Sequence, residues 1–210
     1  MVGASGLLIG ADIAPEMLTS ARDRLKEPQY LPISANGQAL PFQDGVFDAV
    51  VCQLGLQFFA DPLAGLTEFH RVLRPGGIAA VCVIATPDRA PMWGNVANVI
   101  CRLAPEHRET LYLSFSLSDP KRLELLLSNA GLHEVRVKQV RCEDTVGNFD
   151  EYWSPIEAGI GSIAQVYFTL SEKDRLSVRD EVRASLAPYE LPDGKLRMGI
   201  EMLVGSGRAS

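Results

Sequence analysis

The chain has 210 residues, of which 47% are hydrophobic and 22% are charged, and its formal net charge is −6 at pH 7. This length and composition predict one soluble globular domain with a sizeable core. The acidic balance argues against a nucleic-acid backbone as the main partner, and no apolar run reaches the roughly 18 residues that a membrane-spanning helix needs.

The first predicted strand ends in an acid. Leu7 to Ala11 is a short apolar run typical of a buried strand, and Asp12 follows at its expected carboxyl end. Pro15 suits the first turn of a helix, where no backbone N–H is needed. In an open α/β sheet, an acid at this edge can accept hydrogen bonds from ribose hydroxyls. The alternative interpretation is a solvated loop acid or a helix N-cap.

The chain then alternates between strand and helix patterns. Up to residue 85 we predict a break at 27–29, an edge strand at 30–34, a buried strand at 47–53, a helix from 62 to a stop at 74–77, and a strand at 78–85. Later we predict a helix at 92–103, a polar connection to 114, a helix from 120 to 130, a strand at 135–140, an irregular aromatic stretch at 149–168, a helix at 170–186 and a strand at 196–204. This order predicts an α/β fold with a mainly parallel sheet.

The four cysteines are widely spaced, and no histidine lies near them at ligand spacing, so no metal site is predicted. Free thiols in a reducing cytosol are the better interpretation. The first residues lack the basic and then apolar pattern of a secretory signal, so we expect a cytoplasmic location.

Three blocks of sequence carry a resemblance to a known family. They are GADIAPEML at 10–18, LPFQDGVFDAV at 40–50 and RVLRPGG at 71–77. In order and spacing they resemble the class I S-adenosylmethionine-dependent methyltransferases, on the small-molecule branch that includes quinone-biosynthesis enzymes. The resemblance implies S-adenosyl-L-methionine as cofactor and a Rossmann-like sheet, mostly parallel with an antiparallel late strand.

The resemblance also implies how the chain is organised. We expect a single domain over residues 1–210, with its cofactor half at 7–85. Segments 86–117 and 142–195 would be cap-like insertions for the substrate. Segments 118–141 and 196–204 would complete the sheet.

Cofactor contacts follow from the resemblance, residue by residue. Asp12 would hold the ribose hydroxyls, while Ile13 and Met17 would pack on the adenine. Within Asn36-Gly37-Gln38, Asn36 stands where the family often has an acid facing the adenine amino group. Asn36 can still hydrogen-bond, but it carries no charge.

The methionine end and the acceptor are less defined. Gln53 and Leu54, just past the second buried strand, would flank the methionine end of the cofactor. No catalytic residue is assigned, and His70, His107 and Glu157 are the general-base candidates. Six aromatic side chains could line an apolar acceptor pocket or simply pack in the core: Phe58, Phe59, Trp93, Tyr112, Tyr152 and Trp153.

One departure from the family pattern concerns the first motif. In the family, a strand and a glycine-rich loop precede the acidic strand, and such a unit needs about 30 residues. Only residues 1–6 precede Leu7, so we expect an N-terminally shortened methyltransferase that lacks this motif. A gap in the sheet and self-association through its incomplete edge should result. The glycine pairs at 159–161 and 205–207 are expected to be turns.

Three functions remain open at this point. The first is methyl transfer to a small-molecule acceptor by the full-length parent, with this chain impaired. The second is a catalytically silent scaffold or partner subunit that keeps the fold. The third is an NAD-dependent oxidoreductase, because a strand-terminal acid also suits the ribose of NAD.

Overall fold

The computed structural model describes residues 3, 5–25 and 29–210, so Glu27 and Pro28 of the predicted break lie outside the described residues. The strands within these ranges are β1 (Leu8–Asp12), β2 (Tyr30–Ser34), β3 (Phe47–Gln53), β4 (Leu73–Ile84), β5 (His133–Val146) and β6 (Leu196–Arg208). The α-helices are α1 (Pro15–Leu25), α2 (Pro62–Val72), α3 (Pro91–Leu103), α4 (Arg108–Tyr112), α5 (Pro120–Asn129), α6 (Phe149–Glu157), α7 (Gly161–Tyr167) and α8 (Glu172–Leu186).

The strands form two separate sheets. β1 and β2 pair in parallel, from Leu8 opposite Tyr30 to Asp12 opposite Ser34. The second sheet has the order β3-β4-β6-β5, in which β3 and β4 are parallel and β6 is antiparallel to both of its neighbours. The α/β fold with an antiparallel late strand is therefore confirmed. The expected gap corresponds to the space between β1 and β3, which share no pairing strand among the described residues.

The strands on either side of this gap are more exposed than expected. β1 has no fully buried residue, and Leu8 is 41% exposed. On β3, Val51 is 73% exposed. Both strands are present, but the prediction that they are buried is wrong. Within the described residues, each of them pairs on one side only. β2 is an edge strand that contains Pro32, as predicted.

α2 and α5 cover one face of the four-stranded sheet. Asp61 caps α2 by accepting hydrogen bonds from the backbone N–H groups of Leu63 and Ala64, and Pro62 occupies the first turn. Asp119 and Pro120 begin α5 in the same way. The apolar side chains between these helices and the sheet form the sheet core, namely Leu56, Leu66, Phe69, Leu73, Ala79, Val81, Val83, Leu117, Leu123, Leu127, Ala130, Leu132, Leu203 and Ala209.

A helical cap packs beyond the carboxyl end of β4. It is built from α3, α4, α6, α7 and α8 around a second apolar cluster, the cap core, whose largest buried side chain is Trp153. The predictions of a polar connection to 114 and an irregular stretch at 149–168 are wrong, because both segments are largely helical. Packing against the cap core stabilises these short helices, although Pro155 interrupts the helical pattern of α6.

The glycine pairs have different roles. Gly159, between α6 and α7, and Gly161, the first residue of α7, have φ values of 76° and 84°, which confirms the predicted turn. Residues 205–207 are not a turn but part of β6, where an added Cβ on Gly205 would lie 2.8 Å from Leu127 of α5. Residues 74–77 were expected to be a simple turn after α2. They form an irregular bulge inside β4, with Gly76 at φ 77°.

Candidate functional site

Asp12 is the last residue of β1 and is half-buried. Its carboxylate Oδ1 accepts a hydrogen bond from the backbone N–H of Ala14 at 2.9 Å, which supports the turn into α1. Its backbone carbonyl accepts from Ala35 at 3.0 Å, which joins the ends of β1 and β2. Oδ2 takes part in none of the side-chain hydrogen bonds within the described ranges. The strand end therefore presents a charged acceptor to the carboxyl edge of the sheet.

The loop of residues 35–46, between β2 and β3, follows directly from this edge. The Oδ1 atom of Asn36 accepts a hydrogen bond from the backbone N–H of Gln38 at 2.9 Å. Because Oδ1 is engaged, the exposed Asn36 side chain offers its amide N–H groups to a neighbour. Gln38 in turn accepts from the backbone N–H of Asp61 at 2.6 Å, and Gly37 lies against the ring of Phe59.

The end of β3 forms the third side of the site. Leu54 has a φ of 56°, unusual for a residue with a branched side chain, and its N–H donates to the Cys82 carbonyl at 2.8 Å. Burial raises the pKa of the Cys52 thiol, and the charge of Asp12 raises it further. The end of β3 is therefore close enough to Asp12 for the two groups to interact electrostatically. Gln53 is exposed at the same end.

Ile13 and Met17 lie beside Asp12 at the start of the helical segment. They are 74% and 60% exposed, so their apolar surfaces are open to a planar partner. Asp12, Ile13 and Met17 thus lie together at the end of β1 and the start of α1, whereas Gln53 and Leu54 lie at the end of β3.

The six aromatic side chains do not come together in one pocket. Phe59 packs between the 35–46 loop and α2, and Phe58 is 48% exposed. Trp153 is fully buried inside the cap core, where Phe149 stacks on it. The remaining three lie half-buried against the cap core: Trp93, Tyr112 and Tyr152.

The general-base candidates lie elsewhere on the fold. His70 of α2 contacts the Ser210 hydroxyl at 3.4 Å, and Glu157 lies 3.6 Å from Arg179. Tyr152 donates its hydroxyl to the Met92 carbonyl at 2.6 Å, and burial raises the pKa of its phenol, so this group stays protonated. No general base emerges from the described part of the chain.

Two polar residues were missed by sequence reasoning. Gln57 is 1% exposed, and neither polar atom of its side chain has a hydrogen-bond partner within the described ranges. Its burial depends on packing among the turn of residues 56–58, α2 and β4, which no local pattern reveals. Arg71 binds the 35–46 loop through several contacts, and its place in RVLRPGG marks the residue but not its partners.

The described residues provide neither a metal site nor a membrane-spanning helix. Among residues 3, 5–25 and 29–210, no three His, Cys, Asp or Glu side chains are grouped so as to hold a metal ion. Within the same ranges, no helix combines the length and apolar character required to cross a bilayer.

Residues 2–81 match the model of a protein family described as a methyltransferase domain. The chain is 29% identical to the demethylmenaquinone methyltransferase of Lactococcus lactis over 193 residues, which are 85% of this chain and 69% of that one. It is 32% identical to the demethylmenaquinone methyltransferase of Corynebacterium kroppenstedtii over 145 residues, which are 63% of this chain and 61% of that one.

A solved structure shares the fold. It is phosphoethanolamine N-methyltransferase 2 of Haemonchus contortus in complex with S-adenosyl-L-methionine, with a TM-score of 0.53, 14% identity, and coverage of 96% of this chain and 43% of that one. The shared fold, the family match and the relatives agree with the three sequence blocks. Together they support the resemblance of this chain to the class I S-adenosylmethionine-dependent methyltransferases, on the branch of the quinone-biosynthesis enzymes.

Proposed function

We propose that the carboxyl edge formed by β1 and the 35–46 loop binds the adenosine half of S-adenosyl-L-methionine for methyl transfer to a small acceptor. The observation that carries this proposal is the Asp12 carboxylate at the end of β1, with Oδ1 engaged by Ala14 and Oδ2 available. A carboxylate in this place accepts hydrogen bonds from ribose hydroxyls.

The two halves of the cofactor fit this chain differently. For the adenosine half, Asp12 and Asn36 supply polar contacts, and Ile13 and Met17 supply exposed apolar surface. For the methionine half, the described residues hold no glycine-rich loop following a strand at this edge. Backbone N–H groups in such a loop come close to a ligand because glycine has no side chain.

Each residue has a limited role in this proposal. The cofactor supplies an activated methyl group on a positively charged sulfur. Asp12 holds the ribose, Asn36 reads the adenine edge, and Gln53 and Leu54 border the space next to it. Positioning and exclusion of water account for most of the catalysis of methyl transfer.

The named relatives indicate which class of acceptor to expect. Those proteins are demethylmenaquinone methyltransferases, and we propose an apolar small molecule of the quinone class as the acceptor. Half-buried aromatic rings on the cap support this, because such rings commonly line sites for apolar ligands. They are Trp93, Tyr112 and Tyr152.

The 210-residue chain on its own is proposed to be impaired. Because the described residues form no glycine-rich loop for the methionine half, the reacting methyl group would have no fixed position on them. A catalytically silent partner subunit is the second candidate, favoured by the same observation. The exposed edges of β1 and β3 further suggest self-association, because an unpaired apolar strand edge is a template for another chain.

The experiment is a titration of the 210-residue chain with adenosine, followed by the amide NMR signals at the end of β1. Asp12→Ala removes a charged acceptor and should weaken adenosine binding about 10- to 150-fold. Asp12→Asn keeps an oxygen for the Ala14 N–H and should lose less. Asp23→Ala is the matched control, because Asp23 is an exposed acid on α1. Equal affinities for Asp12→Ala and the parent would refute the assignment.

A further inference from the structure

The unit of β1, α1 and β2 is joined to the rest of the molecule mainly through one loop. These three elements pack chiefly on one another. The 35–46 loop leads from β2 into β3, and it carries Asn36 and Gly37. The position of the loop therefore determines where the carboxyl end of β1 and the Asn36 side chain lie relative to the end of β3.

Arg71 of α2 is the main side chain that holds this loop. Its guanidinium donates to the carbonyls of Leu40 at 3.0 Å and Phe42 at 2.8 Å, and to the carboxylate of Asp44 at 2.6 Å. It also donates twice to Glu68, at 2.7 Å each. The five N–H groups of an arginine are thus all used. No other side-chain type offers five donors in this planar geometry.

Glu68 completes the attachment from the other side. Its Oε2 accepts the backbone N–H of Leu40 at 2.7 Å, so that both the N–H and the carbonyl of Leu40 are bound to α2. The Arg71 side chain is 28% exposed and that of Glu68 is 18% exposed, so solvent screens the pair only partly. The backbone of α2 continues the contact, because the Arg71 carbonyl accepts the N–H of Gly45 at 3.0 Å.

We propose that Arg71 is a positioning residue, which fixes the 35–46 loop on α2 and thereby places Asn36 to read the adenine base. The contacts above support the placement of the loop. The placement of Asn36 at the adenine base rests on the proposed function. Asn36 offers amide N–H donors, which suit adenosine, whose N1 accepts a hydrogen bond. They do not suit the N1 position of inosine, which carries a proton and cannot accept.

The first test is amide hydrogen exchange on the full chain. Arg71→Met removes all five donors and keeps the apolar stem, so exchange at Leu40 and Phe42 should rise about tenfold or more, with β6 unchanged. Arg71→Lys keeps the charge but lacks the planar guanidinium with its five donors, so an intermediate rise in exchange is expected. Arg74→Met is the matched control, since Arg74 belongs to the same motif and its side chain is 51% exposed.

The second test compares adenosine with inosine. Arg71→Met should lower the adenosine preference of the parent chain, and Arg71→Lys should restore part of it. Unchanged exchange in the loop, a uniform rise that includes β6, or an unchanged adenosine preference would each overturn the proposal. If Arg71→Met does not fold, the same exchange and nucleoside measurements on Arg71→Lys decide whether the proposal holds. A parent chain that binds neither nucleoside would refute the proposed function, and the exchange experiment would still decide the loop placement.

Discussion

At the scale of single residues, the site depends on charges placed at the ends of strands and helices. Asp12 ends β1, and its carboxylate supports the entry to α1. Glu68 and Arg71 lie one helical turn apart on α2 and attach the loop that follows β2. The side-chain hydrogen bond from Arg71 lowers the pKa of Glu68 below its ordinary value of 4.5, with the N–H of Leu40 acting in the same direction.

This shift predicts a pH dependence of stability. Because the pKa of Glu68 is lower in the folded chain than in the unfolded chain, its contribution is complete above pH 4.5 and is lost as the pH falls below it. Glu68→Gln should therefore be less stable than the parent at pH 7, and the difference should shrink on acidification. The free energy of unfolding, measured in urea from pH 7 to pH 3, checks this.

The reference for that series is Glu124→Gln, which changes an exposed acid on α5. A stability difference between Glu68→Gln and the parent that stays constant down to pH 3 would contradict the role given to the Glu68 carboxylate.

At the scale of elements, local start patterns were predictable and packing was not. Helices α2, α5 and α8 begin within two residues of their predicted starts, because the caps Asp61, Asp119 and Ser171 depend on a few adjacent residues. Helices α6 and α7 were missed, because their stability comes from packing around Trp153. Exposure of β1 and β3 could not be read from an apolar run either, since it depends on which strands lie beside them.

In the candidate site, too, the features that depend on adjacent residues could be predicted, and those that depend on packing could not. Asp12 and Asn36 could be proposed from the sequence because both adjoin the ends of predicted strands, and Asp12 also lies in a family block. Arg71 could not be assigned to the loop, because its partners Leu40 and Phe42 lie about 30 positions away, at sequence separations of 31 and 29. The burial of Gln57 likewise depends on distant elements.

The exposed edge of β3 predicts association between copies of the chain. Val51→Lys adds a charge at an unpaired strand edge, which should disfavour edge-to-edge pairing. The parent chain should show concentration-dependent dimers or larger species in sedimentation velocity, and Val51→Lys should shift them towards the monomer.

Leu125→Lys is the matched control for this experiment, because Leu125 is an apolar residue, 62% exposed, on α5. Association that is weakened by Leu125→Lys and not by Val51→Lys would place the contact on the helical face instead. A parent chain that stays monomeric at high concentration would contradict the association itself.

At the scale of the whole molecule, two sheets and a cap meet at one edge. The four-stranded sheet, α2 and α5 form one continuous core, and the cap packs beyond β4. The unit of β1, α1 and β2, with the 35–46 loop, carries the residues proposed to contact adenosine. On the proposed function, the described residues would hold the adenosine half of the cofactor, and they form no glycine-rich loop for its methionine half.

The most direct test of this account compares the dissociation constants of adenosine and S-adenosylhomocysteine for the 210-residue chain under identical conditions. If only the adenosine half is held, the two constants should agree within about threefold, a difference below about 1 kcal/mol. Asp12→Ala should weaken both ligands equally. Binding of S-adenosylhomocysteine more than about tenfold tighter than adenosine would contradict the account, because the chain would then hold the methionine half as well.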